Sequence, residues 1–414
     1  MFFPELLAPA GSPEKLKVAI AYGADAVYLS GQRFGLRSAA DNFTATELEE
    51  GIRFAHQSGV KTYVTLNSFF HDSDFQGLDE FVQYLEGLEA DALIISDLGV
   101  ISYLNGKTKI PLHLSTQASC LNLDSALFWR EMGVKRLILG REVSIEEAGK
   151  IKRGSGLEVE LFIHGSMCMS YSGNCTISNL TSGRDSNRGG CAHSCRFEYS
   201  LDFPNEIEEG SDKKTRVNSS FMSSKDLAGI DLLPEFSRHE INSVKIEGRM
   251  KGPHYTATVV KNYREAIDLF KKQGEFKSRD LTLFSHEFSK VSHRDYTHAG
   301  LLAPAQAESI YQGREQENSS HIICAIIIEV KEADFLLLEV RSSFKQGEEL
   351  EILTFSGDNI SFASDKILTL DNQQVEKTKP GTLVKVAYQS GCLPLHMIRK
   401  KNPEFFPVNT QGGC

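Results

Sequence analysis

Four of the eight cysteines in the chain lie close together in one polar stretch. Cys168, Cys175, Cys191 and Cys195 fall between Leu161 and Tyr199, separated mainly by Gly, Ser, Asn, Arg and Thr residues. This composition predicts an irregular loop that needs a bound group to order it. Thiolates are soft, anionic ligands, so four of them on one loop indicate an iron–sulfur cluster or another metal centre.

Three other states of these thiols compete with a cluster. Disulfides are disfavoured because the N-terminal residues lack the charged and apolar regions of a signal peptide, and cytosolic chains rarely carry structural disulfides. Structural zinc is the stronger rival, but its ligands usually come in pairs two to four residues apart, and only Cys191 and Cys195 have that spacing. Free buried thiols fit poorly in a loop rich in Gly and Ser. We therefore favour an iron–sulfur cluster. The cysteine spacing leaves its nuclearity open, and we expect the 4Fe–4S type.

The composition is that of an ordinary globular protein. The chain has 414 residues, 41% hydrophobic and 24% charged, enough for two domains. No apolar run is long enough to span a membrane, so we expect a cytoplasmic protein without a membrane partner. The net charge of -10 disfavours non-specific coating of nucleic acid, although 45 Lys and Arg residues leave room for a local basic groove.

The first 250 residues repeat one pattern, in which amphipathic helical stretches alternate with short apolar runs. Most of these runs are continuously apolar, which is typical of parallel strands buried on both faces. The strand candidates are residues 5–12, 24–31, 60–68, 90–97, 111–119, 134–142, 157–165 and 242–249. Ser12, Thr44 and Ser144 are predicted helix N-caps, and Glu147 completes a capping box with Ser144. Eight such units predict a TIM-type (β/α) barrel. A doubly wound open sheet is the alternative, but no GxGxxG follows the first strand.

The domain organisation follows from where this pattern stops. We assign residues 1–272 to the barrel, including an amphipathic helix over 251–272 that closes it, and residues 165–199 to the cysteine-rich insertion. The charged stretch 205–218 reads as a solvated excursion, and 221–236 as a turn and a helix. Residues 273–317 form a connector. Residues 318–414 contain short strands joined by Gly, Asn and Asp turns, which predict a small all-β barrel or sandwich.

Polar residues recur at the ends of the predicted barrel strands. Active sites of TIM barrels lie at the carboxyl ends of the strands. The residues found there are Asn67, Ser68, Ser96, Asp97, Ser115, Gln117, Arg141, Glu142, His164, Glu247 and Arg249. Any one of them alone could equally be a surface loop residue. The cysteine-rich loop leaves the seventh strand at the same end, so we expect the cluster above the barrel mouth.

Several hydrolase signatures are absent from the sequence. It contains no HExxH, no GxSxG and no Walker A motif, which argues against zinc peptidases, serine hydrolases and P-loop enzymes. His164 and Cys168 could form a Cys–His pair, but a cluster would occupy the thiolate that a nucleophile needs.

Several segments together resemble a known family. They are ELLAPAGSPEKLKVAIAYGADAVYLSG near the N-terminus, HGSMCMSYSGNC, GGCAHSCRFEY, SSKDL and VKIEGRMKGPHYTATVVKNYREAID. They resemble peptidase family U-32, which is also described as collagenase-like. The resemblance continues through HRDYTHAGLL into the C-terminal β-domain, so it covers nearly the whole chain.

The resemblance implies an activity different from the family name. It implies a bacterial enzyme that hydroxylates the wobble uridine of tRNA to 5-hydroxyuridine, using an iron–sulfur cluster and prephenate instead of molecular oxygen. Related branches act on a ribosomal RNA cytidine or, without oxygen, on the ubiquinone ring. The alternatives to tRNA hydroxylation are the activities of these two related branches, a U-32-type peptidase, and an accessory protein with structural zinc. The implied partners are tRNA, prephenate as a small dicarboxylate, and proteins of electron transfer or sulfur-cluster assembly.

Roles for individual residues follow from these implied substrates. Arg249, Arg141 and Lys245 are candidates for binding a dicarboxylate, because guanidinium groups pair with carboxylates in bidentate fashion. Glu247 and His164 complete the catalytic candidates, although Glu247 could simply pair with Arg249. RNA phosphates could contact cations on or near the cysteine loop, which could also be solvated surface charges; these are Arg184, Arg188, Arg196 and Lys251. Tyr171 could stack on a base or serve only in packing.

Overall fold

The computed structural model describes residues 1–36, 42–204, 214–311 and 319–405. Contacts divide the chain into two compact units. The first consists of Met1–Ile20, Ala24–Met250 and Arg294–Gln316, and the second of Ala21–Gly23, Lys251–His293 and Glu317–Cys414. The predicted boundaries at residues 272 and 317 differ from this division, because the helix after the eighth barrel strand has its contacts in the second unit. Within the described ranges, no helix is long and apolar enough to cross a bilayer.

The first unit carries twelve strands and eight α-helices in its described part. Its strands are β1 (Glu5–Pro9), β2 (Ala26–Leu29), β3 (Lys61–Leu66), β4 (Ala92–Ile95), β5 (Leu112–Leu114), β6 (Arg136–Ile138), β7 (Glu158–Ser166), β8 (Tyr199–Pro204), β9 (Lys214–Ser219), β10 (Asp226–Ala228), β11 (Ser243–Ile246) and β12 (Tyr296–Thr297). Its helices are α1 (Pro13–Ala21), α2 (Ala45–Gln57), α3 (Leu78–Gly87), α4 (Leu98–Leu104), α5 (Leu123–Glu131), α6 (Ile145–Ser155), α7 (Ile177–Ser182) and α8 (Leu233–Arg238).

Eight of these strands close into a parallel barrel. Strands β1 to β7 pair in chain order, and β11 pairs with both β7 and β1. At the closing seam Leu7 pairs with Lys245 on one side and with Ala26 on the other. The eight strands coincide with the eight predicted runs, and the predicted TIM-type barrel is confirmed.

The first unit contains two additional pieces of β-structure. Strand β10 pairs antiparallel with the end of β7, opposing Leu227 to Gly165, and β12 joins β10 in parallel. The prediction of only a turn and a helix over 221–236 was therefore incomplete. Strands β8 and β9 form a hairpin, so the latter part of the predicted excursion 205–218 is a strand. Residues 205–213 lie outside the described residues.

Local sequence signals begin several helices as predicted. In α6 the Glu147 N–H donates to Ser144 Oγ at 3.3 Å, and the Ser144 N–H donates to the Glu147 carboxylate at 3.0 Å. Thr44 and Glu47 form the same reciprocal arrangement of hydrogen bonds at the start of α2. Each box satisfies two N–H groups that the first helical turn leaves unpaired.

The second unit is an antiparallel sheet with two helices. The helices are α9 (Pro253–Gln273) and α10 (Ser278–Phe288), and the strands are β13 (His321–Lys331), β14 (Phe335–Val340), β15 (Glu349–Leu353), β16 (Ile360–Ala363), β17 (Ile367–Leu368), β18 (Leu383–Ala387) and β19 (Met397–Lys401). The sheet order is β16-β15-β19-β13-β14-β18-β17. Its apolar core includes Cys324, Leu336, Phe344 and Ile398. The predicted small C-terminal β-domain is confirmed.

Candidate functional site

The carboxyl ends of three neighbouring barrel strands share one polar network. After β3, the Asn67 amide donates to Ser115 Oγ at 3.3 Å, and Ser115 Oγ contacts Gln117 Oε1 at 2.5 Å. Ser96 Oγ donates to the Asn67 carbonyl at 3.2 Å. Asp97, in contrast, caps α4 through the Val100 N–H. The barrel mouth therefore carries amide and hydroxyl groups that can bind a polar ligand.

The cysteine-rich loop is attached to this end of the barrel. The Ser172 N–H donates to Glu142 Oε1 after β6 at 2.7 Å, and Asn174 Nδ2 donates to Ser119 Oγ after β5 at 3.2 Å. These contacts lie between Cys168 and Cys175. They place this part of the loop over the mouth, as the sequence predicted.

A second attachment joins the loop to the segment after β3. The Arg188 guanidinium donates to both carboxylate oxygens of Asp74, at 2.6 and 3.1 Å. This pairing holds the pKa of Asp74 at about 2, mainly through the hydrogen bonds from Arg188. The Phe69 N–H also donates to the Asn187 carbonyl at 3.1 Å. The loop is thus fixed at two places around the barrel mouth.

Hydrogen bonds within the loop order its backbone. Asn187 contacts the backbone N–H and carbonyl of Cys175 at 3.3 and 3.1 Å. Ser194 Oγ accepts from Thr181 Oγ1 at 2.7 Å and lies 3.4 Å from Ser178 Oγ. The side chains of a seemingly featureless Gly/Ser/Asn sequence therefore build a specific structure around the cysteines.

The four loop cysteines are half-buried and free of disulfides. Burial, followed by the charges of Cys168, Cys191 and Cys175, raises the pKa of the Cys195 thiol to about 11, while Arg196 opposes the shift. Ser178 Oγ accepts from the Ala192 N–H at 3.0 Å and lies 3.4 Å from Ser194 Oγ, which brings the chain after Cys175 to the chain between Cys191 and Cys195. The Ile177 N–H also donates to Cys175 Sγ at 3.4 Å.

This donor set suits a group bound by thiolates. Mutual repulsion among thiolates is relieved when a cation or a cluster binds them, and an N–H···S contact stabilises a ligating sulfur. Among the described residues, no group of three or more Cys, His, Asp or Glu side chains is placed so that it could hold a metal ion. The chemistry of the residues fits an iron–sulfur cluster, and also zinc.

Lys245 lies inside the barrel below its mouth. Its Nζ pairs with Glu160 Oε1 at 3.0 Å, and Glu160 Oε2 contacts Arg136, which pairs with Glu5 at 2.7 Å. Burial lowers the pKa of Lys245, and its bond to Glu160 opposes that shift. The Nζ also lies 4.4 Å from the ring centre of Tyr28. Lys245 is thus part of a buried ion network.

The two candidate arginines have different surroundings. Arg249 is buried, and its guanidinium donates to Thr65 Oγ1 at 3.3 Å and to Asn42 Oδ1 at 2.7 Å. The half-buried Arg141 guanidinium lies 4.0 Å from the ring centre of Phe162. In the described part of the chain, Arg141 makes no side-chain hydrogen bond or ion pair. Arg141 is therefore the candidate cation with donors available for an anion.

His164 and Glu247 are neighbours at the closing seam. The Glu247 N–H donates to the His164 carbonyl at 2.8 Å. His164 is buried and its ring lies 5.3 Å from that of Tyr296. Their backbones meet beneath the start of the cysteine-rich loop.

The candidate RNA-binding residues are divided between two locations. Tyr171, Arg184, Arg188 and Arg196 lie on the cysteine-rich loop, where Arg188 is engaged by Asp74 and Arg184 is exposed. Lys251 belongs to the second unit, where its Nζ donates to the Ser292 carbonyl at 3.2 Å.

Sequence reasoning missed the residues that anchor the loop. Glu142 was recognised as a polar strand-end residue, but its partner Ser172 was not. Nothing in the local sequence marked Asp74 as an anchor of the loop, because its partner Arg188 is 114 residues away along the chain. Asn187 and Ser194 were read only as loop-forming residues.

Comparisons with known proteins cover nearly the whole chain. The sequence-family model of Peptidase family U32 matches residues 11–311. The family model of the Peptidase family U32 C-terminal domain matches residues 319–399. A Bacillus subtilis protein named tRNA hydroxylation protein P1 is 37% identical over 96% of this chain and 94% of its own. The Escherichia coli 23S rRNA 5-hydroxycytidine C2501 synthase is 32% identical over 71% of this chain and 44% of its own. A Porphyromonas gingivalis protein named collagenase is 29% identical, over 70% of this chain and 72% of its own.

Proposed function

The chain belongs to peptidase family U32, and we propose that it is an RNA hydroxylase that converts the wobble uridine of tRNA to 5-hydroxyuridine. The observation that carries the proposal is the attachment of a four-cysteine loop over the polar mouth of a TIM-type barrel. The near full-length similarity to a protein named for tRNA hydroxylation supports it. The similarity to a ribosomal RNA hydroxycytidine synthase supports the same reaction type on a pyrimidine.

The proposed cofactor is a 4Fe–4S cluster held by Cys168, Cys175, Cys191 and Cys195. When bound, such a cluster supplies one-electron transfer. The chain's own contribution is to order and anchor the loop that carries the four thiols. Glu142 and Asn174 anchor the segment between the first two cysteines, and Asp74 anchors the segment before the third through Arg188.

The proposed co-substrate is a hydroxyl-bearing dicarboxylate of the prephenate class. Replacing C5–H of the base by C5–OH removes two electrons from it, so a partner must accept them. The balanced exchange is base–H + R–OH → base–OH + R–H, in which the dicarboxylate loses its hydroxyl and is reduced. Arg141 is the preferred carboxylate-binding residue because its donors are available, whereas Lys245 is paired with Glu160.

The proposed position of the base is the barrel mouth. Bases in an anticodon loop are unpaired, so one of them can be turned away from its neighbours into a site. Asn67, Ser115 and Gln117 offer donors and acceptors of the kind that read a base edge. The reaction would take place in the cytoplasm, where tRNA is found.

Peptide hydrolysis is the competing function, because the family and one relative are named for it. Hydroxylation is favoured because the sequence lacks the common protease motifs and because its cysteines are grouped as ligands rather than set singly beside a base.

A direct assay distinguishes the two functions. The anaerobically reconstituted protein is incubated with unmodified tRNA and prephenate, and the nucleosides are then analysed by mass spectrometry. A parallel sample receives denatured collagen. The proposal requires one added oxygen on the wobble uridine and intact collagen. Collagen cleavage with unmodified tRNA would contradict it.

A further inference from the structure

The cysteine-rich loop and the turn after β9 expose three aromatic side chains. Tyr171, Phe197 and Phe221 have relative exposures of 63%, 50% and 43%. Large aromatic groups are usually at least partly covered in folded proteins, and their exposure together marks an interaction surface. We call these three residues the aromatic rim.

The aromatic rim is built on ordered backbone. Tyr171 directly precedes Ser172, whose N–H is bound by Glu142 at 2.7 Å. The Phe197 N–H donates to the Ser194 carbonyl at 3.0 Å. Because such a platform is already in place, binding to it costs little conformational entropy.

Phe221 is connected to the same point of the loop. Its ring centre lies 6.1 Å from that of Tyr199. The Tyr199 hydroxyl donates to the Ser194 carbonyl at 2.8 Å. The carbonyl that holds Phe197 therefore also holds the aromatic neighbour of Phe221.

The rim flanks the four thiols. Tyr171 lies between Cys168 and Cys175, and Phe197 lies two residues beyond Cys195. Ser178, three residues after Cys175, accepts a hydrogen bond from the Ala192 N–H at 3.0 Å and lies 3.4 Å from Ser194 Oγ, so these chain segments converge. A molecule that covers the rim would lie next to the proposed reaction centre.

Cations accompany the aromatic rings. Arg184 is exposed on the same loop, and Arg196 directly precedes Phe197, with its backbone N–H bound to the His193 carbonyl at 2.9 Å. Arg188, on the same loop, is paired with Asp74 and is therefore not counted among these cations. Aromatic faces combined with cations are the features that bind single-stranded nucleic acid, through stacking and phosphate contacts.

We propose that Tyr171, Phe197 and Phe221 form a stacking platform for the unpaired nucleotides flanking the reacting base of an RNA loop, with Arg184 and Arg196 contacting their phosphates. This inference rests on the proposed function and adds the surface that holds the substrate. The rim supplies sequence-tolerant affinity, because every base presents an aromatic face. The selection of the reacting base is left to the barrel mouth.

The test measures affinity separately from activity. A fluorescently labelled anticodon stem–loop RNA is titrated with the full-length protein by anisotropy at several salt concentrations. The variants are Tyr171→Ala, Phe197→Ala and Phe221→Ala, with Tyr171→Phe as a conservative variant. Phe128→Ala is the matched control, because Phe128 is 46% exposed on α5. Thermal unfolding establishes that each variant is folded.

Stacking contacts and phosphate contacts differ in how they change the salt dependence of RNA affinity. Each alanine variant of the rim is expected to bind RNA about tenfold more weakly, with an unchanged salt dependence. Tyr171→Phe and Phe128→Ala are expected to retain wild-type affinity. Arg184→Gln and Arg196→Gln are each expected to reduce the slope of log affinity against log salt by about 0.7.

The outcomes separate this inference from the function on which it rests. If the wild type hydroxylates tRNA while all three alanine variants bind RNA as tightly as it does, the stacking platform is wrong and the function stands. In that case the exposed rim would serve a protein partner. If the wild type neither binds nor modifies RNA, the proposed function itself fails.

Discussion

The Glu142 carboxylate accepts a hydrogen bond of 2.7 Å from the backbone N–H of Ser172. Glu142 follows the sixth barrel strand, and Ser172 lies in the cysteine-rich loop between Cys168 and Cys175. Together with the hydrogen bond from Asn174 to Ser119, this contact links the scaffold to the segment that carries two of the proposed ligands. The dependence of the proposed centre on the barrel can be tested at this contact.

Replacing Glu142 by Leu is expected to loosen the segment from Cys168 to Cys175. An unpaired buried N–H costs about 1–3 kcal/mol, so amide exchange in this segment should become roughly 5- to 150-fold faster. Hydrogen exchange followed by mass spectrometry measures it, together with iron per chain after reconstitution. Glu142→Gln keeps an acceptor oxygen and should behave like the wild type, as should the surface variant Glu131→Leu. Unchanged exchange in Glu142→Leu would show that the contact does not hold the loop.

The pair of Asp74 and Arg188 predicts an acid-sensitive attachment. Because the folded-state pKa of Asp74 is lowered to about 2 from an ordinary value of 3.8, its stabilisation is complete above that ordinary value. The stabilisation is lost as the pH falls from about 4 to about 2. Both side chains are partly exposed, so the expected contribution is about 0.5–1 kcal/mol. Urea unfolding of the wild type and Asp74→Asn should differ by this amount at pH 6 and converge near pH 2. A difference independent of pH would contradict the assignment.

Arg141 is expected to act on the co-substrate and not on the fold. Removing a charge-assisted hydrogen bond costs about 1.5–3 kcal/mol, so Arg141→Gln should raise the KM for prephenate roughly 10- to 150-fold. Steady-state kinetics with saturating tRNA measures this effect. Arg153→Gln on α6 removes an exposed arginine and is the matched control. An unchanged KM in Arg141→Gln would move the carboxylate site elsewhere in the mouth.

In the second unit, Arg399 is expected to be a major determinant of stability. Its guanidinium is buried and contacts Glu287 at 2.7 Å and Glu351 at 2.6 Å. Arg399 and Lys290 help to hold the pKa of Glu287 at about 2 against the opposing effect of burial. Arg399→Met leaves both carboxylates without this partner and should destabilise the protein by about 3–5 kcal/mol. Chemical unfolding monitored in this unit measures the loss. Arg399→Met with Glu287→Gln should recover part of it, and an equally unstable double variant would show that the pairing is not the cause.

Much of the fold could be predicted because its signals are local. Continuous apolar runs mark buried parallel strands, and the Ser144–Glu147 box marks the start of a helix within four residues. The polar strand ends and the grouping of the cysteines also stand in the sequence. What could not be read was pairing over long distances. Glu160 engages Lys245 inside the barrel, and neither residue reveals its partner in sequence.

The limits of prediction at the loop have the same physical origin. Arg188 appears as a solvated cation until the fold brings Asp74 to it, and Asn187 becomes an anchor only where Cys175 lies beside it. Strand β10 was missed because three residues carry too little periodicity to distinguish a strand from a turn.

We propose that this chain hydroxylates RNA with a centre bound by its four loop cysteines. The most direct test compares the wild type and Cys191→Ala, purified and reconstituted without oxygen, by absorption, iron and sulfide content, and mass spectrometry of tRNA incubated with prephenate. We expect a brown wild type that adds one oxygen to the wobble uridine, and a variant that loses both the colour and the reaction. A colourless, zinc-loaded wild type with unmodified tRNA would contradict it.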